Sequence, residues 1–300
     1  MWWMAVAAAS LVLGRCAARA QPVEAGPMVA GVAEVASGPR WQASMGGGLT
    51  RIDGAGDQPF ATIGLRRDVG AAFARLSGSW AEARRDERVD FGQLAARTAT
   101  LTAAGGWARG PLSLDGWISL GERAFKDVLV ETIPPTTRNR RKTDGSLIAL
   151  GAAAARTLPL DGGWSLTPYG WGEWGRLVTR SVERDPDGVE KFRERLVESG
   201  LTGAAGLSLD HALAPGRAGL FVSAGMAGAT NASVLSQIDA GLPGAGPAAR
   251  GQGGDVWAEA AAGGAFRLAG RLTLVAALTR TAGLEGGDYV QGALQLRLDF

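Results

Sequence analysis

The chain has 300 residues, 46 of them Gly, and 20% are charged, with 31 Lys and Arg against 29 Asp and Glu. Glycine at this density argues against long helices, since each interior Gly costs a helix roughly 1 kcal/mol, and the near balance of charge argues against a nucleic-acid partner. One cysteine (Cys16) and one histidine (His211) leave too little for a disulfide or a His/Cys metal centre, and no cofactor is expected.

The first element is an export signal. The apolar run Ala5–Leu13 is followed by Gly14-Arg15 and then by Ala18-Arg19-Ala20, an A-x-A cleavage site. Residues 1–20 are therefore expected to be removed after Ala20, leaving a chain that starts at Gln21. That removal takes away Arg15, Arg19 and Cys16, so Lys and Arg fall from 31 to 29 and the mature formal charge is zero. Residues 21–40 read as a short periplasmic or lumenal segment, with Met28–Ala36 able to form a short helix. Beyond the signal no run of 18 apolar residues occurs, so no membrane helix is expected.

From Trp41 onward the hydrophobic period is two, the signature of strands. Ala61, Ile63 and Leu65 oppose Thr62, Gly64 and Arg66. Ala99, Leu101 and Ala103 oppose Thr98, Thr100 and Thr102. Leu112, Leu114, Ile118 and Leu120 oppose Ser113, Asp115 and Ser119. Leu201, Ala205, Leu207 and Leu209 oppose Thr202, Ser208 and Asp210, and Leu272, Leu274, Ala276 and Leu278 oppose Thr273 and Thr279. The chain ends with Val290, Leu294, Leu296, Leu298 and Phe300 against Tyr289, Gln291, Gln295, Arg297 and Asp299. Twelve such segments are predicted, at about 41–51, 59–66, 70–83, 93–107, 111–123, 146–157, 164–177, 197–210, 217–229, 254–267, 270–281 and 288–300. Most exceed the ~5–6 residues of a soluble strand and match the ~9–11 that a tilted strand needs to cross a bilayer.

The connections alternate. Short ones are expected at Arg67-Asp68-Val69, Ala108-Arg109-Gly110, Leu158–Gly163, His211–Gly216 and Leu268-Ala269. The others, at 52–58, 84–92, 124–145, 178–196, 230–253 and 282–287, fall on the opposite side and include three loops of about twenty residues. Outer-membrane barrels have this asymmetry, with short periplasmic turns and long extracellular loops. Aromatics sit near strand ends: Trp41, Trp107, Trp164, Phe266 and Phe300 at the periplasmic side, and Trp80, Trp171, Trp174, Trp257 and Tyr289 at the outer side, as interfacial girdles require. The prediction is an all-β fold: a transmembrane antiparallel β-barrel of about 12 strands, of the bacterial outer-membrane type, over 41–300. The last strand must pair with the first, because hydrocarbon tolerates no open sheet edge.

Three stretches resemble the translocator barrel of autotransporters (type V secretion). Trp164-Ser165-Leu166-Thr167-Pro168-Tyr169-Gly170 looks like that family's L-x-P-Y strand opening. Gly200-Leu201 through Gly206-Leu207-Ser208-Leu209 looks like its following Gly-Leu strand. Leu294-Gln295-Leu296-Arg297-Leu298-Asp299-Phe300 looks like its closing strand with a terminal aromatic. The resemblance implies a twelve-stranded barrel with a membrane-structural or transport role. It also implies insertion by the barrel-assembly machinery, with Leu296, Leu298 and Phe300 as the assembly signal. In that family a passenger precedes the barrel and a helix threads the lumen; here residues 21–40 alone stand between the expected signal peptide and the first strand.

No catalytic site is expected. Barrel enzymes of the phospholipase and omptin types depend on His chemistry, and His211 is placed in a periplasmic turn, away from the outer rim where such enzymes work. If the strand phases hold, Arg66, Arg75, Asp115, Glu173, Asp210, Glu259, Arg297 and Asp299 project into the lumen. Their mixed signs fit bracing of the wall or a pore lining. Arg138, Arg140, Arg141 and Lys142, in the loop 124–145, are candidates for lipopolysaccharide phosphates. Loop 178–196 carries both signs and reads as solvated. Besides the translocator-type barrel, a passive pore for small solutes and a surface protein acting through its loops stay open; outer-membrane lipids and lipopolysaccharide are the expected surroundings.

Overall fold

The computed structural model describes residues 40–52, 56–83, 96–125, 127–132, 137–214, 217–230, 254–283 and 288–300. The expected signal peptide, its cleavage after Ala20 and residues 21–39 lie outside the described residues, as does most of the expected loop 230–253.

In chain order the strands are β1 (Arg40–Ile52), β2 (Gly56–Val69), β3 (Ala72–Ala83), β4 (Ala96–Arg109), β5 (Leu112–Phe125), the short β6 (Val128–Thr132), β7 (Thr137–Arg156) and the two-residue β8 (Leu158–Pro159). Then follow β9 (Trp164–Arg184), β10 (Glu190–Ala214), β11 (Ala218–Ala229), β12 (Asp255–Ala269), β13 (Leu272–Ala282) and β14 (Tyr289–Asp299). Leaving aside β6 and β8, which pair only with the ends of β7 and β9, twelve strands form a wall in which every neighbour is antiparallel. β14 pairs with β1 from Gln42↔Asp299 to Ile52↔Tyr289, which closes the barrel.

The sequence dictates which face is which. Met45, Ile63, Leu101, Leu120, Leu201, Leu207, Leu278 and Leu294 are all exposed and share the outward parity of their strands. Moving one such side chain from water into hydrocarbon is worth about 1.5–3 kcal/mol, so this face turns to lipid. The opposite parity holds the buried hydroxyls and amides: Thr50, Thr98, Thr100, Thr102, Ser119, Thr143, Ser181, Ser208 and Gln291. They bond across strands, as in Thr102 Oγ1 with Ser119 Oγ at 2.8 Å, Thr143 Oγ1 with Ser181 Oγ at 3.0 Å, and Gln291 Nε2 donating to Thr50 Oγ1 at 3.1 Å.

Two-residue turns join the strands on one side, at Gly70-Ala71, Gly110-Pro111 and Gly270-Arg271. Gly70 (φ 61°) and Gly110 (φ 59°) stand in the left-handed region that favours glycine and that tight hairpins demand. The first of these turns comes just after the expected Arg67-Asp68-Val69, because the strand runs on to the first residue able to take a positive φ.

The strands also extend further on the other side than hydropathy suggests. β7 begins at Thr137, so the expected loop 124–145 is largely ladder. β9 and β10 run to Arg184 and from Glu190, so the expected loop 178–196 is a hairpin closed by a turn at Asp185–Val189. Outside the membrane both faces of a hairpin meet water, so no apolar face is needed and the hydrophobic alternation that marks a strand is lost. His211, expected in a turn, belongs to β10 and stacks on the Trp164 ring at 4.2 Å between centroids.

Heights along β9 follow from its geometry. Trp164 and Trp174 both face outward. The ten steps between them cover roughly 33 Å of strand, which at a tilt near 40° is about the 25 Å of an outer-membrane apolar band. Residues beyond Trp174 on β9, with the stretches paired to them on β7 and β10, stand above that band.

Candidate functional site in the barrel interior

The inward parity carries an assortment of polar and aromatic groups along the full height of the wall. At the turn side, Asp299 of β14 accepts from Gln42 Nε2 at 2.9 Å and lies 3.5 Å from the Arg40 guanidinium, tying β14 to β1 at the closing seam. Nearby, Arg66 donates to Asp68 at 2.8 Å while its guanidinium carbon sits 3.9 Å from the centre of the Phe73 ring. Arg75 is its cross-strand partner and is buried. Asp210 accepts from Ser208 Oγ at 3.4 Å and from Thr167 Oγ1 at 3.5 Å.

Higher on the wall, indoles and carboxylates meet. Trp117 Nε1 donates to Glu173 Oε2 at 2.8 Å, and Trp257 Nε1 donates to Glu259 Oε1 at 2.8 Å. Trp257 also packs into a small inward apolar cluster with Leu147, Leu177, Ala227 and Ala229. The rings lie flat because the neighbouring strand offers glycine beneath them. A Cβ on Gly151 would meet the Trp117 ring, one on Gly206 the Tyr169 ring, and one on Gly263 the Phe221 ring. An aromatic that lies along the wall covers it without projecting across the lumen.

The closed antiparallel barrel is a fold shared with known proteins. The family model described as "Autotransporter beta-domain" matches residues 40–279. The chain belongs to the autotransporter β-domain family. The barrel is an outer-membrane protein with a transport or structural role. Among solved structures, it is similar to the translocator domain of the autotransporter NalP from Neisseria meningitidis (TM-score 0.69, 18% identity, 96% of each chain covered). It is also similar to the β domain of the Bordetella autotransporter BrkA (TM-score 0.63, 16% identity, 88% of this chain and 100% of that one). At these identities the likeness speaks for the fold alone. No curated protein sequence matches the chain.

In this autotransporter β-domain the register puts Arg66, Arg75, Asp115, Glu173, Asp210, Glu259, Arg297 and Asp299 on the inward parity. They do not converge on one site; they are distributed round the wall and along it. Their partners include both neutral and charged groups: indole N–H for Glu173 and Glu259, hydroxyls for Asp210, the Gln295 amide oxygen, which accepts from Arg297 Nε at 2.9 Å, Asp68 for Arg66 and Arg40 for Asp299. Among the described residues no group of three His, Cys, Asp or Glu is placed to hold a metal ion.

Several assignments need correction. Trp171, Trp257 and Tyr289, expected in the outer aromatic girdle, have inward parity, and Trp257 and Tyr289 are buried. The signal was present: Trp171 shares the parity of Glu173, and Trp257 that of Glu259. The same logic would have found Trp117, which stands between Asp115 and Ser119. Of the four cations expected on a loop, Arg140, Arg141 and Lys142 sit on strand β7, and the side chain of Arg138 lies outside the described residues. Arg141 turns inward to Glu183, 2.8 Å away, where Asn139 Nδ2 also donates at 2.8 Å; it does not face the membrane. Arg140 faces out and is 2.6 Å from Asp127, and Lys142 is exposed on the outward face. Leu296, Leu298 and Phe300 are exposed on the outward face at the turn side. Phe300 also exchanges two backbone hydrogen bonds with Trp41, at 2.9 and 3.0 Å.

Proposed function

We propose that the barrel works without catalysis, as a translocator-type conduit whose lumen is a polar, aromatic-lined passage. The observation that carries this reading is the inner wall. The Trp117, Tyr169 and Phe221 rings lie flat over glycines, and Glu173, Glu259 and Asp210 accept from indoles and hydroxyls, which suits passage of chemically varied chain better than a fixed reaction centre. Side chains braced this way keep the wall from collapsing inward, so the charged residues both stiffen the barrel and line it. His211, the only imidazole, is stacked on Trp164 at the turn side of the barrel, and this supports the non-catalytic reading. On the same reading, residues 1–20 are a cleaved export signal, and Leu296, Leu298 and Phe300 present the outward apolar edge that the assembly machinery grips.

The test is planar-bilayer conductance of residues 21–300 beside residues 41–300. Conductance in the shorter chain, with silence or brief openings in the longer one, is the expected result, and assigns residues 21–40 to the lumen. Steady conductance in both favours the passive-pore alternative. Silence in both refutes a passage of either kind.

A further inference from the structure

The membrane-facing surface changes character above Trp174. On the outward parity of three adjacent strands, β7, β9 and β10, the register sets Ile148, Arg176 and Ser199 side by side. The next rows are Ser146, Val178 and Val197, then Asp144, Arg180 and Arg195, then Lys142, Val182 and Arg193. The cations here are all exposed. Arg193 is held by Glu190 at 2.8 Å, whereas Lys142, Arg176, Arg180 and Arg195 make no ion pair among the described residues. The carboxylates on this face are Asp144, Glu190 on Arg193, Asp127 on Arg140 at the upper edge and, one strand over, Glu122. Arg180 and Arg195 are direct cross-strand partners, with Cα atoms about 5 Å apart. Arg176 lies four residues, roughly 13 Å, back along β9. Lys142, one row beyond, lies six residues along the strand from the Arg176 row, so four cations without an ion pair among the described residues share a patch about 20 Å long, just above the apolar band.

Below the patch β7, β9 and β10, together with the outer ends of β11 and β12, form an open depression of about 750 Å³. Leu150, Trp174, Leu201 and Val256 wall it, and Gly172 and Gly203 lower its floor. Leu201 and Val256 expose 54% and 64% of their surface, so this is a trough open to lipid and not a closed cavity. Cationic patch and apolar trough are continuous through Trp174, whose neighbours on the outward face are Leu150 and Leu201.

We propose that this face binds one lipopolysaccharide molecule of the outer leaflet, its phosphates on Lys142, Arg176, Arg180 and Arg195 and an acyl chain in the trough beside Trp174. The site stands at the end of the barrel that carries the long connections, which is the extracellular side. Four cations within reach of one another ask for more than one phosphate, so a headgroup with several phosphates on an acylated sugar fits where a single-phosphate phospholipid leaves charge unmatched. Guanidinium pairs with phosphate bidentately, and the long Arg and Lys stems lie over apolar surface while their heads reach the headgroup layer. The site rests on the outer-membrane placement of the barrel and is independent of whether the lumen conducts.

The test is binding of a short-core lipopolysaccharide to the full chain refolded in a zwitterionic detergent, read by native mass spectrometry. Dephosphorylated lipopolysaccharide and phosphatidylglycerol serve as competitors. The Arg176→Gln/Arg180→Gln/Arg195→Gln variant is expected to bind at least about tenfold more weakly. The corresponding Arg→Lys triple variant keeps the charges and loses the bidentate fork, so it is expected to bind more tightly than the glutamine variant and more weakly than the parent chain; Arg109→Gln at the turn side is expected to bind within about threefold of the parent. Dephosphorylated lipopolysaccharide and phosphatidylglycerol are expected to bind as weakly as the glutamine variant. Undiminished binding by the glutamine variant overturns the site. Equal affinity for phosphatidylglycerol, or for the dephosphorylated lipid, overturns the choice of occupant. Should the glutamine variant fail to give a heat-modifiable barrel, the three lipids compared on the parent chain and on the lysine variant still decide.

Discussion

Gly151→Ala probes the inner wall directly. A Cβ at this position falls on the six-membered part of the Trp117 indole and close to its Nε1. The ring must swing away, and the 2.8 Å bond from Nε1 to Glu173 cannot survive the swing. A hydrogen bond to a charged acceptor contributes about 1.5–3 kcal/mol. Replacing a strand glycine by alanine returns roughly 0.5–1 kcal/mol of backbone entropy. The net expectation is a loss of about 1–2 kcal/mol. Gly172→Ala is the control, because its Cβ would point outward with its nearest neighbour, the Thr202 carbonyl oxygen, 3.9 Å away; it is expected to be neutral or slightly stabilising. The assay is reversible urea unfolding of the refolded barrel in detergent micelles, followed by tryptophan fluorescence and by the gel shift between boiled and unboiled samples. Trp117→Phe removes the same N–H without crowding the wall, so Gly151→Ala and Trp117→Phe combined should cost clearly less than the sum of the two. Strict additivity, or Gly151→Ala matching Gly172→Ala within about 0.5 kcal/mol, would falsify the idea that the glycine exists to seat the ring.

Asp299→Asn keeps the size of the side chain but weakens its hold on Arg40 and Gln42 at the seam where the first and last strands meet; a loss of about 1 kcal/mol is expected in the same unfolding assay, and no change there would show the seam to rest on its backbone ladder alone. At the tip of the β9–β10 hairpin, the hydrogen bond from Lys191 holds the Asp185 carboxyl below its ordinary value, against the opposing effect of burial. A carboxyl with a lowered folded value stabilises the tip above the ordinary value of 3.8, and the effect fades as pH falls through the folded value. Hydrogen exchange at residues 185–191 should therefore be protected at about pH 6 and lose that protection on acidification toward about pH 3, while Asp185→Asn should be unprotected at both; a pH-independent tip refutes the linkage. Phe300→Ala leaves both backbone bonds to Trp41 possible. If the ring is read during assembly, the amount of folded barrel in cells should fall several-fold while refolded stability changes by less than about 1 kcal/mol. An equal drop in both would make the ring a structural residue.

Much of this protein could be read before its fold was known. A period of two over a dozen segments cannot be satisfied by helices, and the segregation of short from long connections requires strands that alternate up and down. Together these give an antiparallel barrel, and parity within each strand then assigns its two faces, as in β2, where Ile63 and Leu65 point outward and Arg66 inward. The same parity was available for Trp171 and Trp257, and the misplacement of both came from weighing residue type above phase. Tryptophan favours the membrane interface on average, but Glu173 and Glu259 two residues further along the strand decide the side.

What the one-dimensional pattern determined by itself was the alternation, hence the class of fold and the two faces of each strand, because side-chain direction in a strand is a local property of the backbone. What only the tertiary structure decided was everything that depends on register between strands distant in sequence. The pairing of Asp299 with Gln42 spans almost the whole chain, and the seat of Trp117 on Gly151 joins β5 to β7. The reach of β9 and β10 beyond the membrane was hidden for a related reason. There the strand is held by its ladder and by cross-strand partners such as Arg141 and Glu183, and water on both sides removes the hydrophobic pattern that local reading depends on. The cation patch of Lys142, Arg176, Arg180 and Arg195 draws on three strands, and it becomes a patch only when the register sets those strands side by side.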